Sequence, residues 1–386
     1  MKSHFYLIQG ANVIVGIFIM FIVFLGLLFL PNKTLAATPP LLPFDNTGNL
    51  YVLDDGSDNI LCITSDGVVT IEVTAAEIMA VTGETSVSFI NRGIAFDAAG
   101  AMYFTESSSD CILKRALDGT LSVLTSEADI MAVTGETSAD PEGIAFGSDG
   151  FLYVNDEYSD SVLRVNPTTG AVSVYVNKAT LRALVGNMEV DMECAIVGAE
   201  GGIVYAASDR SDTIFKITSG GTPSILAGGT PPFSDLDVFM TRAPNGDLII
   251  ADNSGSDTIH RVTPAGVVST FLSKAYLEAC IGQNVDLEGG IAFDDSGNFY
   301  VAENDTNTIY KFDTALQCSI FVDAAAIQAV TGIDPYLGGG IAFAPRPAPP
   351  PAAVPTISQW GMIILSLLLA VTAIFVLRRR SYMVSK

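Results

Sequence analysis

The stretch PEGIAFGSDGFLYVNDE, residues 141–157, decides the fold. Two short apolar runs, GIAF and FLYV, flank the turn former GSDG, and an acidic pair closes the second run. Runs this short, rich in β-branched and aromatic residues and bounded by Gly, Ser and Asp, form strands rather than helices. Working outward, the same pattern returns as PFDNTGNLYVLDDGSDNILCI, AFDAAGAMYFTESSSDCILKR, AFGSDGFLYVNDEYSDSVLRV, IVGAEGGIVYAASDRSDTIFKI, MTRAPNGDLIIADNSGSDTIHRV and AFDDSGNFYVAENDTNTIYKF. The turn glycine recurs at Gly48, Gly100, Gly150, Gly201, Gly246 and Gly297, and an aromatic column follows at Tyr51, Tyr103, Tyr153, Tyr205 and Tyr300, with Ile249 in the fifth unit.

Each unit holds four such runs; in the second they are GIAF, AMYF, CILKR and LSVLT. A four-stranded unit of about 40–50 residues repeated around a ring is a β-propeller blade, which buries its faces only against neighbouring blades. The expectation is an all-β, six-bladed β-propeller over residues 37–344. A seventh GIAF, Gly340 to Phe343, has no blade behind it. It is expected to supply the innermost strand of the first blade, closing the ring and removing an exposed edge. Inserts such as TAAEIMAVTGETS, SEADIMAVTGETS and DAAAIQAVTGIDP should form one or two helical turns ending at glycine; the fourth unit lacks the insert.

The blade pattern, carried by PEGIAFGSDGFLYVNDE and LEGGIAFDDSGNFYVAEN, resembles the six-bladed NHL-repeat and SMP-30-like propellers. Many unrelated functions share that architecture, so function has to come from a site.

Two acidic columns are candidates. The first, Asp54, Glu106, Asp156, Asp252 and Glu303, with Ser208 in the remaining unit, reads as architecture, since a carboxylate in a turn accepts backbone N–H bonds. The second lies in the lead-in to each innermost strand: Asp140/Glu142, Asp191/Glu193, Asp235/Asp237 and Asp286/Glu288, with Asn91-Arg92 and Leu337-Gly338 in the other two units. Carboxylates converging at the channel mouth repel one another unless some protonate or a cation lies between them, and oxygen donors suit Ca²⁺ or Mg²⁺. Glu142, Glu193, Asp237 and Glu288 are therefore candidate metal ligands. The resemblance to SMP-30-like proteins implies the same for a Glu followed by Gly, which Glu142 and Glu288 match, whereas Glu193 precedes Cys194.

Other chemistry is largely excluded. His4 and His260 are the two histidines, and His260, on a third strand, is expected at the surface away from the channel. No GxSxG or Walker motif occurs. Five scattered cysteines form no CxxC pair and leave the disulfide pairing open. The six basic residues Lys2, Lys33, Arg378, Arg379, Arg380 and Lys386 lie in the two ends, which leaves 13 basic against 42 acidic residues in the middle, a net charge of −29. That charge argues against nucleic acid and anionic lipid as partners.

The ends read as addresses. Residues 1–36 have a basic start, a long apolar run and small residues, the layout of a secretory signal with a cleavage point after Ala36, the alternative for so long a run being an uncleaved anchor. Residues 345–353 form a Pro-rich spacer. Residues 357–377 carry no charge and as a helix would span about 31 Å, enough for a bilayer core, with the arginines behind favouring a cytoplasmic end. Val354, Pro355, Thr356, Trp360, Gly361 and the run Arg378, Arg379, Arg380 resemble the IPTL-CTERM sorting signal over 354–380. The resemblance implies a bacterial exosortase-type enzyme as partner and delivery to the cell surface. The sequence therefore favours an exported, non-catalytic binding module for a cation, a glycan or another surface component, over a metal-dependent hydrolase or lactonase and over a purely structural envelope protein.

Overall fold

The computed structural model describes residues 48–228, 233, 236, 239–253, 257–345, 364–375 and 377. The expected secretory signal and most of the sorting signal lie outside them.

Six four-stranded antiparallel sheets form, each a meander from an inner to an outer strand. Blade 2 is Ile94–Phe96, Met102–Glu106, Cys111–Arg115 and Leu121–Thr125. Blade 3 is Pro141–Phe146, Leu152–Asp156, Ser161–Val165 and Val172–Val176. Blade 1 is closed as expected: Ile341–Phe343 pairs antiparallel with Leu50–Asp54, with Leu50 opposite Phe343 and Val52 opposite Ile341. The C-terminal end of the domain is thus stitched to its N-terminal end. Each inner strand packs beside the inner strands of its two neighbours, so the ring closes on itself.

The recurring glycines all adopt positive φ, from 71° to 98°; in blades 2 to 6 this is the backbone that the tight turn between first and second strands demands. Second strands such as Leu50–Asp54, Met102–Glu106 and Phe299–Glu303 are buried at every position, because both faces meet neighbouring blades. The column residues Tyr51, Tyr103, Tyr153, Tyr205 and Tyr300 are all buried, Tyr103 and Tyr153 among the largest fully buried side chains. Each such burial contributes about 1.5–3 kcal/mol, so the aromatic column is the adhesive between blades.

The inserts are short helices, as the sequence suggested: Ala75–Thr82, Glu127–Thr134, Lys178–Leu184, Lys274–Ile281 and Ala324–Thr331. Thr74 and Ser126 begin the first two with reciprocal capping boxes to Glu77 and Asp129, and left-handed Gly83 and Gly135 end them. Each buries one large apolar residue, Ile78, Ile130, Leu181, Leu277 or Ile327. Ala75–Thr82 packs on the outer strand Leu121–Thr125 of the following blade, and Ala324–Thr331 on Val69–Val73, so the inserts clamp adjacent blades. In the clamp from blade 5 to blade 6 a disulfide joins Cys280 of the helix Lys274–Ile281 to Cys318 of the outer strand Cys318–Val322. Cys62, Cys111 and Cys194 are outside any disulfide among the described residues, and all three are buried.

At the hub the inner strands approach so closely that side chains are excluded. A Cβ on Gly143 would lie 2.2 Å from the carbonyl oxygen of Cys194 in the next lead-in. Gly290 N donates to Gly339 O at 3.1 Å and Gly340 N to Arg92 O at 2.8 Å, linking the lead-ins of blades 6, 1 and 2 in sequence.

Of the expected membrane span, residues 364–375 and 377 are helical. Among the described residues no helix is long and apolar enough to cross a membrane.

Candidate functional site

In each meander the turn between second and third strands shares a face with the lead-in to the first strand. The first acidic column ties these two places together. Asp54 accepts from Tyr336 N at 2.9 Å, Glu106 from Ser88 N at 3.0 Å, Asp156 from Asp140 N at 2.7 Å and Glu303 from Asp286 N at 3.0 Å. Ser208 Oγ does the same for Asp191 N at 3.0 Å. The same carboxylates also accept from their own turns, as Glu106 does from Ser108 N and Ser109 N. All are 0% exposed, so these are structural acceptors, the role their spacing suggested. Each latch ties the lead-in of a blade to that blade's own turn.

At blade 5, Asp252 also meets a third-strand side chain. Its Oδ2 lies 3.3 Å from His260 Nε2, and the ring of His260 meets Phe233 edge-on at 5.3 Å. His260 is therefore buried, not at the surface: in this blade the third-strand side chain that is apolar elsewhere turns between blades.

The lead-in acids separate into two settings. At blades 2 to 4, the strands Pro141–Phe146 and Leu152–Asp156 pair with a bulge: Pro141 faces Asp156 and Ile144 faces Val154, so Glu142 and Gly143 together oppose Asn155. The bulge turns Glu142 inward, where it is 3% exposed. Its Oε1 accepts from Arg92 Nη1 at 2.9 Å, and Arg92 Nη2 pairs with Asp140. The Cys194 thiol lies 3.6 Å from Glu142 Oε2. Burial pushes the Glu142 carboxyl up to about 8 despite Arg92 beside it. Oxygens of Asp140, Glu142 and Glu157 lie within 4.8 Å of one another, and so do those of Glu157, Asp191 and Glu193. Glu157, in the turn after Asp156, joins the two groups. Burial, then its hydrogen bond and charge contact with Asp140, and then the charge of Asp191 push its carboxyl up to about 7. Asp110 rises to about 7 through burial and the nearby charge of Asp140.

Asn155 supplies a neutral oxygen here. Its Nδ2 donates to Glu193 O at 2.8 Å and Ala195 O at 3.3 Å. Its Oδ1 is buried with no hydrogen-bond partner among the described residues. The carboxylates of Glu157, Asp191 and Glu193 are the hard, oxygen-only donor chemistry that Ca²⁺ or Mg²⁺ takes. Glu142 fits that role less well, because Arg92 already neutralises it.

At blade 6 the setting differs. Glu288 Oε2 accepts from Asn304 Nδ2 at 2.7 Å and from Tyr336 Oη at 3.2 Å. Burial, and then the charge of Glu288, push Asp286 up to about 6. Among the described residues Glu288 belongs to no group of three mutually close acids. Of the four expected ligands, then, Glu142 and Glu193 lie in groups that share Glu157, Glu288 lies in separate surroundings, and Asp237 falls outside the described residues. Sequence reasoning missed Arg92, Asn155 and Glu157. Arg92 had a signal: it is the one base in a column of acids. Glu157 and Asn155 flank an acid of the first column and had none.

The IPTL-CTERM motif matches residues 352–380. That motif implies processing by an exosortase-type enzyme and a place in the cell envelope for an exported chain. No curated protein sequence matches the chain. Among solved structures, one chain of a nidogen/laminin complex aligns with a TM-score of 0.57 at 16% identity, covering 78% of this chain and 99% of that one. A streptogramin B lyase aligns at 0.52 with 15% identity over 78% and 88%, and a catalytically inactive virginiamycin B lyase from Staphylococcus aureus with quinupristin at 0.50 with 14% identity over 72% and 85%. Identities this low establish the propeller fold alone; the chain is a six-bladed β-propeller that carries a C-terminal IPTL-CTERM motif.

Proposed function

We propose that the protein is an exported, surface-displayed binding module whose mouth at blades 3 and 4 takes a divalent cation, Ca²⁺ or Mg²⁺. Glu157, Asp191 and Glu193 are the ligands. The observation that carries this reading is the grouping of these three half-buried carboxylates, whose oxygens lie within 4.8 Å of one another. A divalent cation relieves their mutual repulsion. A rigid wheel whose loops gather on one face suits recognition, and one of its structural relatives comes from a protein–protein complex. Delivery to the surface rests on the sorting motif.

Calorimetry on the purified protein tests the reading. Ca²⁺ should bind with one-site stoichiometry, and Glu157→Gln and Asp191→Asn should each abolish the heat. Absence of heat with both Ca²⁺ and Mg²⁺ sinks the cation site. An esterase and lactonase screen runs beside it; turnover lost in Glu157→Gln would replace binding with hydrolysis.

A further inference from the structure

We propose that the face between blades 6 and 1 holds a second site, for a primary ammonium group, formed by Glu288, Asn304 and Tyr336 with Asp286 beside them. Asn304 is 8% exposed, and its Nδ2 donates to both Glu288 Oε2 and Tyr336 Oη. Those two contacts fix which way the carboxamide is turned, because a reversed amide would set its oxygen against the carboxylate. Its Oδ1 is then a buried acceptor without a donor among the described residues. Such a group costs about 1–3 kcal/mol when unpaired, so it calls for an N–H or O–H that no described residue supplies.

The surroundings select a positive donor. Neither Glu288 nor Asp286 makes an ion pair among the described residues, whereas Glu142 and Asp140 share Arg92. Asp305 and Glu303 add negative charge around Asp286, and the nearby Asp257 is already paired with Lys274. A metal ion suits the place poorly. No group of three close carboxylates includes Glu288, and its Oε2 already accepts two hydrogen bonds. An ammonium brings three N–H donors and one charge, enough for Asn304 Oδ1, Glu288 and Asp286 together. Tyr336, half-buried and bonded to both Glu288 and Asn304, is the side chain that moves aside to admit it. The shared chemistry is that of a polyamine or of a lysine side chain.

The test titrates spermidine, and separately Nα-acetyl-lysine methylamide, into the full-length protein by calorimetry in the presence of a chelator. Saturable binding of either is expected, and the tighter ligand identifies the source. Glu288→Gln and Asn304→Ala should each weaken it by at least about tenfold. Glu288 is half-buried and Gln is its isostere, so the first variant decides even where Asn304→Ala fails to fold. Glu157→Gln, in the other mouth, should leave amine binding unchanged, so failure of the cation reading and failure of this one are separable. No saturable binding of either probe, unchanged affinity in Glu288→Gln, or Ca²⁺ binding that Glu288→Gln abolishes overturns the proposal.

Discussion

The lead-ins of blades 3 and 6 carry one pattern, Asp140-Pro-Glu142-Gly143 and Asp286-Leu-Glu288-Gly289, and end in different environments. The neighbouring lead-in makes the difference. Blade 3 follows the blade that contributes Arg92, so Glu142 and Asp140 gain a guanidinium. Blade 6 precedes the lead-in that contributes Tyr336, so Glu288 gains a phenol and the Asn304 amide but no charge. In a ring of repeats, the same acid is a buried ion-pair partner or a solvated acceptor according to what the adjacent copy presents.

Removing the guanidinium should break the contrast most severely. Arg92→Met leaves two acids without their cation, and loss of one partner of a buried pair costs about 3–5 kcal/mol. Chemical denaturation should show a loss of that size, while Tyr336→Phe on the blade 6 side, which removes the hydroxyl's hydrogen bonds to Glu288 and Asn304, should cost only about 1–2 kcal/mol. If the two losses are equal, the two settings are not different in kind.

The blade 6 side has a clamp of its own. Replacing Cys280 and Cys318 by Ser opens a link spanning 38 residues, for which chain entropy suggests about 2–4 kcal/mol. A melting point that dithiothreitol lowers in the wild type but not in the double variant would confirm it.

Ca²⁺ sharpens the comparison next. At one hundred times its dissociation constant it should stabilise the protein by about 2.7 kcal/mol, an effect that Asp191→Asn removes and Glu288→Gln leaves in place. Equal losses in both variants would merge the two mouths into one site.

The remaining contrast is in pH. The Glu142 carboxyl rises from 4.5 to about 8 on folding, so the folded state holds a proton there that the unfolded chain has released. Its contribution to stability is complete below pH 4.5 and is lost as pH rises through 8. Asp286 behaves in the same way from 3.8 to about 6. Melting points should therefore fall between pH 6 and 8 through the blade 3 side, and Glu142→Gln should flatten that decline. An undiminished slope in this variant would assign the titration to Glu157 and Asp110.

The sequence alone was enough for the wheel. Turn glycines and aromatics at a nearly constant period specify four strands per blade, and the unpaired GIAF at Gly340–Phe343 specifies how the ring closes, because both are local patterns repeated along the chain. The structural role of Asp54, Glu106, Asp156 and Glu303 was legible for the same reason: one acid at one turn position serves its own blade. Partnerships between blades were not legible. Arg92 reaches Asp140 and Glu142 across 48 and 50 residues, and Tyr336 reaches Glu288 across 48. Which acids share Glu157, which gain Arg92, and where His260 turns depend on side chains brought together only when blades pack. Burial and charge at those contacts are properties of the closed ring, and tertiary structure alone decides them.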